Sequence, residues 1–154
     1  MTERTATHST FVLERVYPVA PARVFNAFAD PKAKAKWFGP PPDAGWGTEK
    51  QTLDFRVGGL ETSIGGPKGG PVISFRATYQ DIIPDQRIIY TYDMDIDGKR
   101  ISVSLATIEF TPEGSGTRLK LTEQGVYVDG FDDPGIREKG TKDLLDALGR
   151  SLAN

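Results

Sequence analysis

Between Val72 and Glu123 the chain carries four successive strand-like stretches, the first two with apolar side chains at every second residue, joined by segments short enough to be turns. In Val72 to Ile83 the alternating residues are Ile73, Phe75, Ala77 and Tyr79; in Arg87 to Ile96 they are Ile88, Tyr90, Tyr92 and Met94. A repeat of two marks a strand with one buried face. Pro84-Asp85 and Asp97-Gly98 read as turns, the second opening a strand from Ile101 to Phe110. Glu113 to Gly116 then turns the chain into a strand from Thr117 to Glu123. Strands joined this closely form an antiparallel meander, and its apolar face needs a cover.

The end of the chain supplies that cover. After a loop from Gly125 to Asp132, Asp133-Pro134 offers a capping carboxylate and a first-turn proline for a helix reaching Ala153. Ile136, Leu144, Leu145, Leu148 and Leu152 fall on one stripe of it. Each large side chain contributes about 1.5 to 3 kcal/mol when buried, so the stripe docks the helix on the concave face of the sheet. Gly140 costs a helix interior about 1 kcal/mol against alanine, and close approach of a backbone or a ligand is the expected reason for it.

Upstream, Phe11 to Val19 reads as a strand ended by Pro18 and Pro21, and Met1 to Ser9 as a frayed tail. Val24, Phe25 and Phe28 have helical spacing behind Pro21, and Asp30-Pro31 starts a second short helix through Lys32 to Trp37. Gly39 to Gly47, with Pro40, Pro41 and Pro42, reads as a loop bordered by Trp37, Phe38 and Trp46. Gln51 to Val57 and Leu60 to Ile64 read as strands about Gly58-Gly59, and Gly65 to Pro71 as a turn. The order is one strand, two short helices, six strands and a long helix. That is one α+β domain spanning the 154 residues.

Within that order, particular motifs resemble a known family. Ala20-Pro21-Ala22-Arg23-Val24-Phe25 opens the first helix, Trp37-Phe38-Gly39-Pro40 closes the second, and Asp54-Phe55-Arg56-Val57-Gly58-Gly59 ends a strand. With the element order, they make the chain similar, from about Phe11 to Leu152, to bacterial proteins like the C-terminal domain of the heat shock protein 90 ATPase activator. These belong to the START and birch-pollen-allergen-like (SRPBCC) superfamily. The resemblance implies a helix-grip fold: a curved antiparallel sheet around a long C-terminal helix, enclosing an apolar pocket. Relatives often carry an aromatic ring where this chain has Thr141, in Arg137-Glu138-Lys139-Gly140-Thr141. The superfamily includes lipid carriers, aromatic cyclases and co-chaperone modules, so the fold alone names no activity.

Composition narrows the chemistry. There is no cysteine, and the single histidine, His8, lies in the expected tail, so thiol chemistry, a His-dependent triad and a metal site have nothing to be built from. A net charge of -2 gives no general attraction to nucleic acid. No stretch reads as a signal peptide or a membrane span, and a cytoplasmic protein without a cofactor is expected. Asp93, Asp95, Asp97 and Gly98 imitate half of a calcium loop, but Ser104 stands where the bidentate Glu belongs. The glycine-rich Gly65 to Pro71 has its Lys68 misplaced for a phosphate cradle. Arg56 either clamps an acidic ligand or pairs with Asp54 or Glu61, the second being favoured.

The leading expectation is a cavity that binds a small hydrophobic or aromatic molecule, lined by Trp37, Phe55, Phe75, Tyr79, Tyr90, Tyr92, Glu109, Gly140, Thr141, Leu144 and Leu148. Tyr90, Tyr92, Ser102, Ser104 and Glu109 are its expected polar groups. An alternative is a cyclase or dehydratase on a polyketide-type substrate, in which Glu109 with Tyr90 or Tyr92 moves protons. That reading requires Glu109 to point inward. A chaperone-associated module with an apolar patch around Trp46 and Phe131 ranks last, and a homodimer is left open.

Overall fold

The computed structural model describes residues 3–39 and 45–153. In chain order the elements are β1 (Ala6–Tyr17), α1 (Pro21–Ala29), α2 (Pro31–Lys34), β2 (Trp46–Leu53), β3 (Leu60–Pro67), β4 (Ile73–Ile83), β5 (Arg87–Ile96), β6 (Lys99–Glu113), β7 (Gly116–Val128) and α3 (Pro134–Leu152). The strands form one antiparallel sheet of seven in the order β1-β7-β6-β5-β4-β3-β2. This is the α+β helix-grip fold: a curved sheet with a long C-terminal helix and two short helices after the first strand.

The meander forms where alternation predicts it, with β5 running over the residues expected. Its inward faces carry Phe75, Ala77 and Tyr79 on β4, Ile88 and Tyr92 on β5, Ile108 and Phe110 on β6, and Leu119 and Leu121 on β7, all buried. Leu145, Leu148 and Leu152 of α3 complete the core with Val24, Phe25 and Phe28 of α1. The Tyr17 hydroxyl at the end of β1 donates to the Leu145 carbonyl at 2.8 Å, pinning the middle of α3 to the sheet. At the start of α3, Asp133 accepts from the Gly135 and Ile136 amides, as a helix cap should.

Several boundaries differ from expectation. Ala6 to Ser9 is strand rather than frayed tail, because β7 continues past Glu123 to Val128 and gives it a partner: His8 pairs with Val126 and Ala6 with Val128. Gly125 reads as the start of a loop yet lies inside β7, where a Cβ would meet Ser104 Oγ and the Tyr127 ring at 3.1 Å. Its lack of a side chain serves packing, not a turn. β2 begins at Trp46 and ends at Leu53, so Phe55 and Val57 leave the sheet. The strand's polar residues, Thr48 to Thr52, carry no alternation for a sequence reading to find. β3 runs on to Pro67, and α2 is a single turn. The expected loop Gly39 to Gly47 lies largely outside the described residues, with Trp46 and Gly47 already in β2.

Candidate functional site

Ten aromatic rings form a closed circuit of neighbours inside the fold. Phe28 touches Trp37, then Phe38, Phe75, Tyr92, Tyr90, Tyr79, Phe55, Phe25 and Phe110 follow, and Phe110 returns to Phe28. Centroid separations run from 4.9 Å to 5.9 Å, and most pairs meet edge to face, the arrangement ring quadrupoles favour. Tyr79, Phe55, Phe25 and Phe110 are packed into the core. The other six rings border a cavity of about 340 Å³, closed on its other sides by Leu121 of β7 and by Gly140, Thr141, Leu144 and Leu145 of α3. Ile136, 69% exposed, and Gly140 lie at its mouth. A Cβ at Gly140 would meet nothing within 4 Å, so the glycine faces open space rather than a close backbone.

Two groups of charged side chains interrupt this apolar wall. At the first, Lys34 Nζ lies 2.6 Å from Glu61 Oε1, the Tyr79 hydroxyl donates to the same oxygen at 2.6 Å, and Nζ is 3.5 Å from that hydroxyl. Nζ also sits 4.4 Å above the centre of the Phe38 ring, a cation over a π face. Lys34 and Glu61 are only 5% and 4% exposed. Burial pushes the Lys34 ammonium below its ordinary value against the pull of Glu61, and pushes the Tyr79 hydroxyl up.

At the second, the Tyr92 hydroxyl donates to Glu123 Oε2 at 2.8 Å and accepts from Arg137 at 3.0 Å. Arg137 reaches in from the first turns of α3 and also donates to Ser102 at 2.8 Å and Asp132 at 2.5 Å. Its guanidinium lies over the Tyr127 and Tyr92 rings, 5.3 Å and 5.7 Å from their centres. Burial raises the Glu123 carboxyl above the usual carboxylate range, although the Tyr92 hydrogen bond and the Arg137 charge oppose the shift. Glu123 Oε1 and the Tyr90 hydroxyl hydrogen-bond to no described residue, while both side chains border the cavity. They are the groups left to meet a polar atom of an occupant.

Of the residues expected at the site, Trp37, Phe75, Tyr90, Tyr92, Gly140, Thr141 and Leu144 line the cavity. Phe55, Tyr79 and Leu148 belong to the core beside it. Glu109 does not face inward: it is exposed and pairs in register with Arg87 and Lys120. The reason is parity, since Ser102, Ser104, Ala106 and Ile108 are buried on one face of β6, so residue 109 must take the other. The inward carboxyl is Glu123. Ile136, expected on the buried stripe of the last helix, is exposed instead.

The remaining motifs are occupied structurally. Arg100 pairs with Asp95 at 2.7 Å and Asp93 at 3.8 Å, and Arg76 reaches Asp95 at 3.2 Å. Asp97 adopts a positive φ in the hairpin and accepts from the Val72 amide. Arg56 pairs with Asp54 at 2.9 Å at the surface. Among the described residues no cluster of three or more His, Asp or Glu is placed to hold a metal ion. Among the described residues no helix is long and apolar enough to cross a membrane.

Solved structures of bacterial proteins share this architecture along nearly their whole length. A protein from Rhizobium loti is 46% identical over 96% of this chain and 99% of its own, with a TM-score of 0.88. One from Rhizobium leguminosarum is 41% identical over 99% of both chains, with a TM-score of 0.93. A third, from Chromobacterium violaceum, is 28% identical over 94% of this chain and 97% of its own, with a TM-score of 0.79. No curated protein matches the chain. The model of the family described as activator of Hsp90 ATPase homolog 1-like protein matches residues 18–153, all but the first 17 residues and the last, and the chain belongs to that family.

Proposed function

We propose that the protein binds a small hydrophobic or aromatic molecule in the cavity between α3 and the sheet. The observation that carries this reading is the space of about 340 Å³ walled by seven aromatic rings, the six of the circuit and Trp46. Cavities of this kind hold ligands by apolar contact and orient them with a few polar groups. Glu123 Oε1 and the Tyr90 hydroxyl supply such groups here. An occupant with an aromatic body and one hydroxyl or amide edge fits both features.

Both tryptophans of the chain, Trp37 and Trp46, border the cavity, so intrinsic fluorescence reports on its filling. Titration with 1-naphthol should give a saturable change in tryptophan emission, and native mass spectrometry of the freshly purified protein should show a bound mass that organic solvent removes. Absence of both signals across a panel of aromatic and aliphatic compounds overturns the reading. The cyclase or dehydratase alternative loses Glu109 as its proton carrier. The chaperone-module alternative has weak support in the surface, because Trp46 is half-buried at the cavity and only Phe131, 46% exposed, remains of the expected patch.

A further inference from the structure

We propose that Lys34 is an amine nucleophile that captures the carbonyl group of a hydrophobic aldehyde entering the cavity, holding it as a protonated imine paired with Glu61. The inference rests on the cavity being a ligand site and names one class of ligand for it. Three observations carry it.

Lys34 is part of the cavity wall and is enclosed from bulk water, its Nζ lying 4.4 Å from the centre of the Phe38 ring that borders the same space. Its ammonium has its proton acceptor in place, Glu61 Oε1 at 2.6 Å, and a hydroxyl that shares the same oxygen, that of Tyr79. The surroundings are otherwise apolar, and removal from water disfavours a charged amine although the Phe38 face offsets part of that cost. A buried ion pair adds little net stability over an apolar pair of similar volume. Pinning α2 to β3 therefore does not by itself account for placing an amine in a cavity wall.

The chemistry balances without a further reactant. Lys34 passes one proton to Glu61 and becomes a neutral amine. Its lone pair forms the C–N bond as the carbonyl π pair moves to oxygen, and the now-cationic nitrogen passes one of its protons to that oxygen to give a neutral carbinolamine. The Glu61 carboxylic acid then protonates the hydroxyl, the C–O bond breaks, and water leaves. The product is a cationic imine beside a Glu61 carboxylate, with the charge of the starting pair unchanged.

The test is to incubate the full chain with 2-naphthaldehyde and sodium cyanoborohydride, and to map the reduced adduct by peptide mass spectrometry. The chain has eight other lysines by its sequence, all controls for ordinary surface reaction. Lys34 should be labelled at least about tenfold faster than any of them, because the cavity holds the aldehyde against its amine. 2-Naphthalenemethanol, which cannot form an imine, should compete and suppress that label. Lys34→Arg, checked for fold by circular dichroism, should lose the fast label while the other lysines react as before. Saturable binding of the alcohol by the unaltered chain with no preferential Lys34 adduct overturns the imine proposal and leaves the ligand site standing. If neither compound binds, both readings fall.

Discussion

Tyr92 of β5 and Glu123 of β7 are joined across the intervening strand by a 2.8 Å hydrogen bond. The span is open because the inward positions between them are small: Ser104 faces Tyr92 in register, and Gly125 faces Ser104. The same small residues that let the pair meet keep that part of the wall thin. Arg137 closes the arrangement from α3, donating to the Tyr92 hydroxyl and to Ser102, so the helix is attached to the sheet beside the carboxyl that faces the cavity.

That carboxyl gives stability a pH dependence opposite to the usual one. Its folded-state pKa lies above the unfolded value, so the unfolded chain sheds the proton first as pH rises. Its contribution is fully present below the unfolded pKa and is lost on going up through the folded one. Glu123→Gln keeps an acceptor for Tyr92 and removes the titration. Chemical denaturation should show the variant gaining stability relative to the parent between acid and neutral pH, and an advantage that does not change with pH sinks the assignment.

Removing Arg137 should loosen the first turns of α3, leaving Asp132 without its ion-pair partner and the buried Glu123 without a nearby cation. Arg137→Leu is expected to cost about 3 kcal/mol, the lower end for breaking a buried charge pair. Hydrogen exchange should speed up in residues 134–141 more than around Leu148. A uniform loss of protection along α3 argues that the Arg137 bonds do not act locally.

Gly140 separates volume from stability. Gly140→Ala should raise stability by about 1 kcal/mol, since the helix gains propensity and the new methyl meets nothing. Gly140→Phe should keep the fold, because its ring enters open space. It should also abolish the saturable fluorescence response to 1-naphthol. Undiminished binding in the Phe variant places the ligand elsewhere.

The Lys34–Glu61 pair should show strong coupling. Glu61→Ala strands an enclosed ammonium and should cost about 3 to 5 kcal/mol, whereas Lys34→Met combined with Glu61→Leu should recover most of it. Urea midpoints for Lys34→Met, Glu61→Leu and the double variant that combines them decide the matter. Additive losses in the double variant contradict a coupled buried pair.

The fold was legible because its two strongest signals are periodic: alternation at Phe75, Tyr79, Tyr90 and Tyr92, and the Leu145, Leu148, Leu152 stripe of α3. The apolar half of the cavity followed from them. Its charged half did not, because Lys, Glu and Arg are read as solvent-facing by default. Lys34 is one of three lysines at alternate positions from Lys32 to Lys36, and nothing in the pattern singles out the middle one. Glu123 did carry a signal, since it keeps step with the buried Leu119 and Leu121, and the same count along β6 sends Glu109 outward.

The pairing of β1 with β7 sets when this chain can finish folding during synthesis. Ala6 must wait for Val128, so the amino-terminal strand leaves the ribosome without its only neighbour in the sheet. Contacts this distant along the chain slow the search for the native state. Until the last hairpin emerges, β1 is an unpaired edge twelve residues long, and the growing polypeptide is most vulnerable to clumping in that interval.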